Sequence, residues 1–142
     1  MFFKLTILLL MFFISSCQTT YQKQGFSGGY SDQLTGQNTA TVYYKSNTFT
    51  SMSDTRRFAM RRASELTLSK GYDYFLIEND NQYLKKETYS GSVQCNTIGF
   101  STTCNNVGGG SFTKPRVQLN IRMFSGTVPN KTGYYDAKYF TK

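Results

Sequence analysis

DTRRFAMRRASELTLSKGYDYFLIE, residues 54–78, reads as one helix running straight into one strand. Ser51 or Ser53 can cap the helix by accepting a bond from a free backbone N–H, and Asp54 suits its first turn. Gly71 supplies the left-handed stop, with Lys70 at the negative end of the dipole. The expected helix therefore runs from Asp54 to Lys70. At 100° per residue, Phe58, Ala59, Ala63 and Leu66 share one side and form the expected buried stripe. Arg57, Arg61 and Ser64 fall on the other side. Arg62 lies at the edge, where its stem can cover core while its head reaches water. Glu65 is spaced to pair with Arg61 at i+4 and Arg62 at i+3. Tyr72 to Glu78, the most apolar stretch after residue 17, follows at once, so helix and strand are expected to pack back to back.

Working outward, Thr39 to Tyr44 (TATVYY) is rich in β-branched and aromatic residues and reads as the first strand. Asn79-Asp80-Asn81 reads as a turn, with Gln82 to Ser90 as the hairpin partner of the strand before it. Pro115 to Phe124 alternates cleanly: Val117, Leu119, Ile121 and Met123 lie on one face, Arg116, Gln118, Asn120 and Arg122 on the other. Tyr134 to Phe140 is a short last element of unassigned type. Residues 91–113 are rich in glycine, serine, threonine and asparagine and hold Cys95 and Cys104. A structureless loop of that length is unusual in a compact domain, so the segment reads as a projecting, disulfide-closed hairpin or loop. There is no internal repeat. The fold expected is α+β: an antiparallel or mixed sheet of about four to five strands with one main helix packed on one face.

The chain opens MFFKLTILLLMFFISSC. Lys4 precedes an apolar run from Leu5 to Ile14, too short for a spanning helix, which needs about 20 residues, but suited to the core of a secretory signal. Its end, Ile14-Ser15-Ser16-Cys17, resembles the bacterial lipobox, in which the cysteine becomes the acylated N-terminus. The alternative is an ordinary signal with a chance cysteine. The domain plan is then a lipoprotein signal peptide over 1–16, a flexible tether over 17–37, and one α+β domain over 38–142 that carries the projecting loop 91–113. Gln18 stands where an aspartate would, in many Gram-negative cells, retain the protein at the inner membrane. The expected address is therefore the outer membrane, lipid-anchored, on the periplasmic side.

The 142 residues include 16 basic, 8 acidic and no histidine. Removing Lys4 with the signal leaves 15 basic against 8 acidic, or +7. In an exported protein nucleic acid is not an expected partner; anionic head groups, lipopolysaccharide phosphates or acidic glycans are available, and a basic surface that only aids solubility is the plain alternative. Lack of histidine removes serine–histidine–acid and cysteine–histidine hydrolysis and the commonest transition-metal ligand. With Cys17 acylated, Cys95 and Cys104 remain as a pair, and an oxidising compartment favours a disulfide over a metal site, since no carboxylate or histidine lies between them. No metal and no cofactor are expected.

Gly28-Gly29-Tyr30-Ser31-Asp32, then Arg62 to Leu68 (RASELTL), Gly71 to Phe75 (GYDYF) and Tyr135-Asp136-Ala137 occur in an order that resembles a family of small bacterial lipoproteins first named in Caulobacter, of unassigned function. The resemblance spans residues 28–140. It implies an α+β domain behind a lipid anchor in a Gram-negative cell, and it brings no catalytic or binding residue with it. The cysteine-bearing insertion looks specific to this chain.

Three activities are compatible with these residues. The first is a non-catalytic envelope module for assembly, sensing or interaction, with an envelope protein or peptidoglycan as partner and the membrane held through the anchor. The second is a binding module for acidic glycan or lipid A phosphate, using the arginines of the helix. Helical arithmetic places Arg56 and Arg62 away from Arg57 and Arg61, so Arg57 and Arg61 are the candidate binding residues. The third is a small glycan-acting enzyme using two carboxylates from among Glu65, Asp73, Glu78, Asp80, Glu87 and Asp136. Each of those acids has a structural reading, so the expectation is that the protein is not an enzyme.

Overall fold

The computed structural model describes residues 20–127 and 132–141. The order of elements is β1 (Gly29–Leu34), β2 (Thr39–Lys45), α1 (Met52–Ser69), β3 (Tyr74–Tyr89), β4 (Ser92–Ile98), β5 (Ser101–Val107), β6 (Gly110–Phe124) and β7 (Tyr134–Asp136). Five strands form one antiparallel sheet in the order β1-β2-β6-β3-β7, and β4 and β5 form a second sheet of their own. The protein is thus α+β, but richer in sheet than the sequence reading expected.

The helix forms where the sequence places it, with both ends capped. Ser51 Oγ accepts from the Asp54 backbone N–H at 3.0 Å and donates to the Asp54 carboxylate at 2.8 Å. At the far end Gly71 takes φ 79°, Tyr72 N–H bonds the Thr67 carbonyl and Gly71 N–H bonds that of Leu68. This is the Schellman arrangement, open to glycine because it carries no Cβ. Ala59, Ala63 and Leu66 are buried as expected, against Ala40, Val42 and Tyr44 of β2, Val117, Leu119, Ile121 and Met123 of β6, and Phe75 of β3. Phe58 is only partly buried at the edge of this core.

Ser64, placed on the solvent side by the wheel, is fully buried, as are Thr55, Met60 and Thr67. The buried face is centred on Ala63, further from Phe58 than the wheel placed it, so Ser64, Met60 and Thr67 fall within it. The segment after β7 brings Tyr139 and Phe140 beside Arg57 and Arg61, and the segment before β1 lays Tyr21 against Phe58. The hydroxyls tolerate burial because they bond within the helix: Ser64 donates to the Met60 carbonyl and Thr67 to that of Ala63.

Two further expectations are corrected. Residues 29–34, assigned to the tether, form β1 and pair with β2 along their whole length, from Gly29 with Lys45 to Leu34 with Ala40. The turn expected at Asn79-Asp80-Asn81 does not exist. β3 runs on through it, with a one-residue register shift between Ile77 and Asn79 that makes Glu78 the bulged residue. The polar triplet stays in the sheet because β6 offers an unbroken partner, Asn120, Leu119 and Gln118, and because Asp80 reaches Arg56 on the helix at 2.9 Å.

β3 and β6 outrun their neighbours. β2 ends at Lys45, opposite Arg116, and its chain turns off at Ser46. Pro115 sits at that point, and its carbonyl accepts from Ser46 N–H at 3.0 Å. Its nitrogen therefore faces the β2 side, so no donor is lost from the β3 ladder. Beyond it, pairs from Leu84 with Pro115 to Tyr89 with Gly110 form a free two-stranded ribbon, which leads into the β4–β5 hairpin.

Candidate functional site

Ribbon and hairpin together make an arm. Every residue of β4 and β5 is exposed, and the largest side chains are open to solvent: Ile98 at 84% and Phe100 at the tip at 112%. Cys95 lies directly opposite Cys104, and the two form the expected disulfide. Their Cα atoms are 4.0 Å apart, the spacing of a pair that exchanges no backbone hydrogen bonds. Thr97 and Thr102 share a hydroxyl bond two pairs nearer the tip, at 2.9 Å. The projecting, disulfide-closed hairpin read from residues 91–113 is therefore present, although Gly110 to Thr113 belong to β6 rather than to a loop.

Ribbon and hairpin meet at a joint of glycines. A Cβ on Gly91 would stand 2.3 Å from the Gly108 carbonyl oxygen, and one on Gly109 would stand 2.7 Å from the Gly91 nitrogen. Only bare backbone fits such a crossing. The arm is also uncharged over an unusual length. Glu87 and Lys114 are the last charges before it, and the 26 residues from Thr88 to Thr113 hold none.

At the base of the arm a cleft of about 430 Å³ lies between the turn at residues 25–28 and the ribbon. Lys45, Lys114 and Arg116 line it, with Glu87 as its one carboxylate. Glu87 bonds Lys114 at 2.6 Å and Arg116 at 3.2 Å, and the Lys114 ammonium beside it holds its pKa below the usual carboxylate range. Lys45 makes no ion pair among the described residues. These three cations come from β2 and β6, distant in sequence, so no local motif announced them.

The candidate binding residues Arg57 and Arg61 share a second shallow cleft, with Phe58, Tyr139 and Phe140. Both are engaged. Arg57 pairs with Asp54 at 2.8 Å and Arg61 with Glu65 at 3.1 Å, and the Arg61 guanidinium lies 4.5 Å over the Tyr21 ring. Arg62, set apart from Arg61 by the wheel, is brought to the same carboxylate: it reaches Glu65 at 3.5 Å, Asp32 at 2.7 Å, and covers the Tyr30 ring at 4.5 Å. Long side chains bend round a helix further than Cβ directions suggest.

This cluster docks the chain before β1. Tyr21 stacks on Tyr30 and Tyr44, and its hydroxyl donates to Glu65. Burial, then the Glu65 carboxylate, push the Tyr21 hydroxyl far up from its ordinary value. Tyr44 donates to the Thr20 carbonyl at 3.1 Å, and burial pushes it up to about 12. Residues 20 and 21 are therefore docked, inside the stretch expected to be a tether. Cys17 lies outside the described residues.

All eight acids have partners. Asp32, Asp54, Glu65, Glu78, Asp80 and Glu87 are in ion pairs, Asp73 accepts from Gly126 N–H and Asp136 from Lys138 N–H. Among the described residues no group of three or more histidines, cysteines or acids could hold a metal ion, and no helix is long and apolar enough to cross a membrane. Comparison of the chain with protein-family models, with curated proteins and with solved structures gives no match.

Proposed function

We propose that the protein is a non-catalytic lipoprotein, held through acylated Cys17 on the periplasmic side of the outer membrane, and that it serves as an interaction module whose contact element is the arm. The observation that carries this reading is the hairpin of residues 92–107, wholly exposed, uncharged, closed by Cys95–Cys104 and held off the core by a ribbon. Contacts with partners concentrate on such projections from a rigid scaffold. The non-catalytic part rests on the lack of histidine and on the paired state of the acids. The order of motifs that resembles a family of small lipoproteins points the same way and names no activity.

Anchoring has a geometric consequence here. Two residues, Gln18 and Thr19, lie between Cys17 and Thr20, whose carbonyl is already bound to Tyr44, so three chain steps join them. They span at most about 10 Å, so the domain rides close on the head groups instead of at the end of a long tether. Wild-type protein should take up palmitate label and Cys17→Ala should not; label that persists in the variant removes the anchor. Crosslinking in the native envelope should capture a partner through the arm, and an unchanged partner in Cys95→Ser/Cys104→Ser would remove the hairpin from the functional account.

A second reading, binding of an acidic glycan or of lipid A phosphate, is favoured by the cleft of Lys45, Lys114 and Arg116 rather than by Arg57 and Arg61, whose heads are already paired. Lys45→Glu combined with Lys114→Glu should abolish salt-sensitive binding to lipopolysaccharide. Binding that survives both changes would place the ligand elsewhere.

A further inference from the structure

The reading of the arm as the contact element leaves its occupant open, and the hairpin itself narrows the choice. A two-stranded hairpin is marginal on its own. Both outer edges of this one are unpaired among the described residues, since β4 and β5 bond only to each other. Exposed edges are ordinarily guarded by lysine, by other charges or by proline. Residues 88–113 hold none of these, although the chain as a whole carries 24 charged residues among its 142. The contrast bears on what can approach. The protein is net positive, +8 over the full sequence, so two copies repel over most of their surface. Among the described residues the arm, 88–113, is the longest run that carries no charge to repel a second copy.

We propose that the hairpin pairs edge to edge with the hairpin of a second copy, through β4. Because Cys95 and Cys104 form a pair without mutual backbone bonds, the N–H and C=O groups of Val93, Cys95 and Thr97 point outward from β4. Those of Thr102, Cys104 and Asn106 point outward from β5. β4 carries Val93 opposite Asn106 and Ile98 opposite Ser101 of β5, so β4 is the more strand-prone edge. A two-fold axis through Cys95 sets Val93 opposite Thr97 of the second copy and joins two hairpins into a four-stranded sheet. The contact is self-complementary, as a closed two-fold interface must be. Its area is small, and confinement to a membrane surface by the anchor supplies the effective concentration that so small an interface needs.

A benzophenone side chain in place of Gln94, activated in the native envelope, should give an adduct of two copies of this chain. Thr97→Pro removes one outward N–H from β4 without touching the ladder inside the hairpin, and should abolish the adduct. Thr102→Pro does the same on β5 and should leave it. Retention of the Cys95–Cys104 bond in both variants, read by mass before and after reduction, confirms that the hairpin has formed. In detergent, raising the ionic strength from about 0.05 to about 0.5 M should strengthen self-association, because it screens like charge. An adduct with a different protein would overturn self-pairing and leave the arm as a contact element. An adduct with lipid, or none, would overturn both. Equal behaviour of the two proline variants, or association weakened by salt, would also overturn the pairing through β4.

Discussion

The body and the arm of this protein are built on opposite terms. In the body, apolar side chains from α1, β2, β3 and β6 meet in one core, and charges are tied in pairs across elements, Arg62 to Asp32, Arg56 to Asp80 and Arg122 to Glu78. In the hairpin nothing is buried and nothing is charged, and the closure is covalent. Burial of apolar area is the main favourable term in folding, so the body should fold without the hairpin. The hairpin borrows its position from the body through a ribbon and its closure from a disulfide. A surface that keeps its shape without a core remains free to meet something else.

That contrast can be broken most forcefully in the body. Phe75 is fully buried and stacks on Tyr135. Phe75→Ala should cost about 3–5 kcal/mol and Leu66→Ala about 2–5 kcal/mol in urea unfolding. A Leu66→Ala protein that melts like wild type would show that the helix face is wrongly assigned. Loss of the disulfide comes next. Closing a loop this short is worth about 2–3 kcal/mol, but the stabilisation should stay local. Cys95→Ser/Cys104→Ser should leave the urea midpoint of the body unchanged while amide exchange speeds up across residues 92–107. A midpoint that falls with it would mean that arm and body unfold as one unit.

The next test sharpens the boundary between the docked N-terminal segment and the body. Tyr21 and Tyr44 both have pKa values raised in the fold, Tyr44 to about 12. Their stabilisation is therefore complete below the unfolded value near pH ~10 and is lost as pH rises from there towards the folded value. The urea midpoint should decline from about pH 10 upward. Tyr44→Phe, which gives up a hydrogen bond worth about 1 kcal/mol, should flatten that decline. An equal slope in wild type and variant would detach Tyr44 from the alkaline transition. The smallest effect belongs to the arm. Asn105→Lys, on the exposed outer strand, should change stability by less than about 0.5 kcal/mol, and a larger loss would show that β5 is packed against something.

Much of the body was legible from one strand's alternation and one helix's caps. Val117, Leu119, Ile121 and Met123 face the core as their period of two requires, and Ser51 and Gly71 end the helix as their chemistry does. Three misreadings share a cause. Asn79-Asp80-Asn81 has the composition of a turn, yet a long continuous β6 keeps it in the sheet with a bulge. Residues 29–34 are too polar and glycine-rich to announce a strand, yet β2 offers an open edge. Ser64 lies off the apolar stripe, yet the face that the helix turns to the sheet is centred on Ala63 and takes Ser64 in. In each case a partner distant in sequence outweighed local preference. The unbroken absence of charge over residues 88–113 needed only the sequence, and its meaning emerged once the hairpin stood exposed.

The sequence alone determined where backbone conformation is constrained locally: the capped helix, the alternating strand, and two cysteines nine residues apart in one polar segment. It also determined that histidine chemistry is closed to this chain. Only the tertiary structure decided which charges neutralise which, that Lys45, Lys114 and Arg116 converge on one cleft, and that residues 20 and 21 are docked on the body. Caps and periodicity act over a few residues of one chain, whereas ion pairs, clefts and docked segments join groups far apart in sequence, and those distances close only when the sheet assembles.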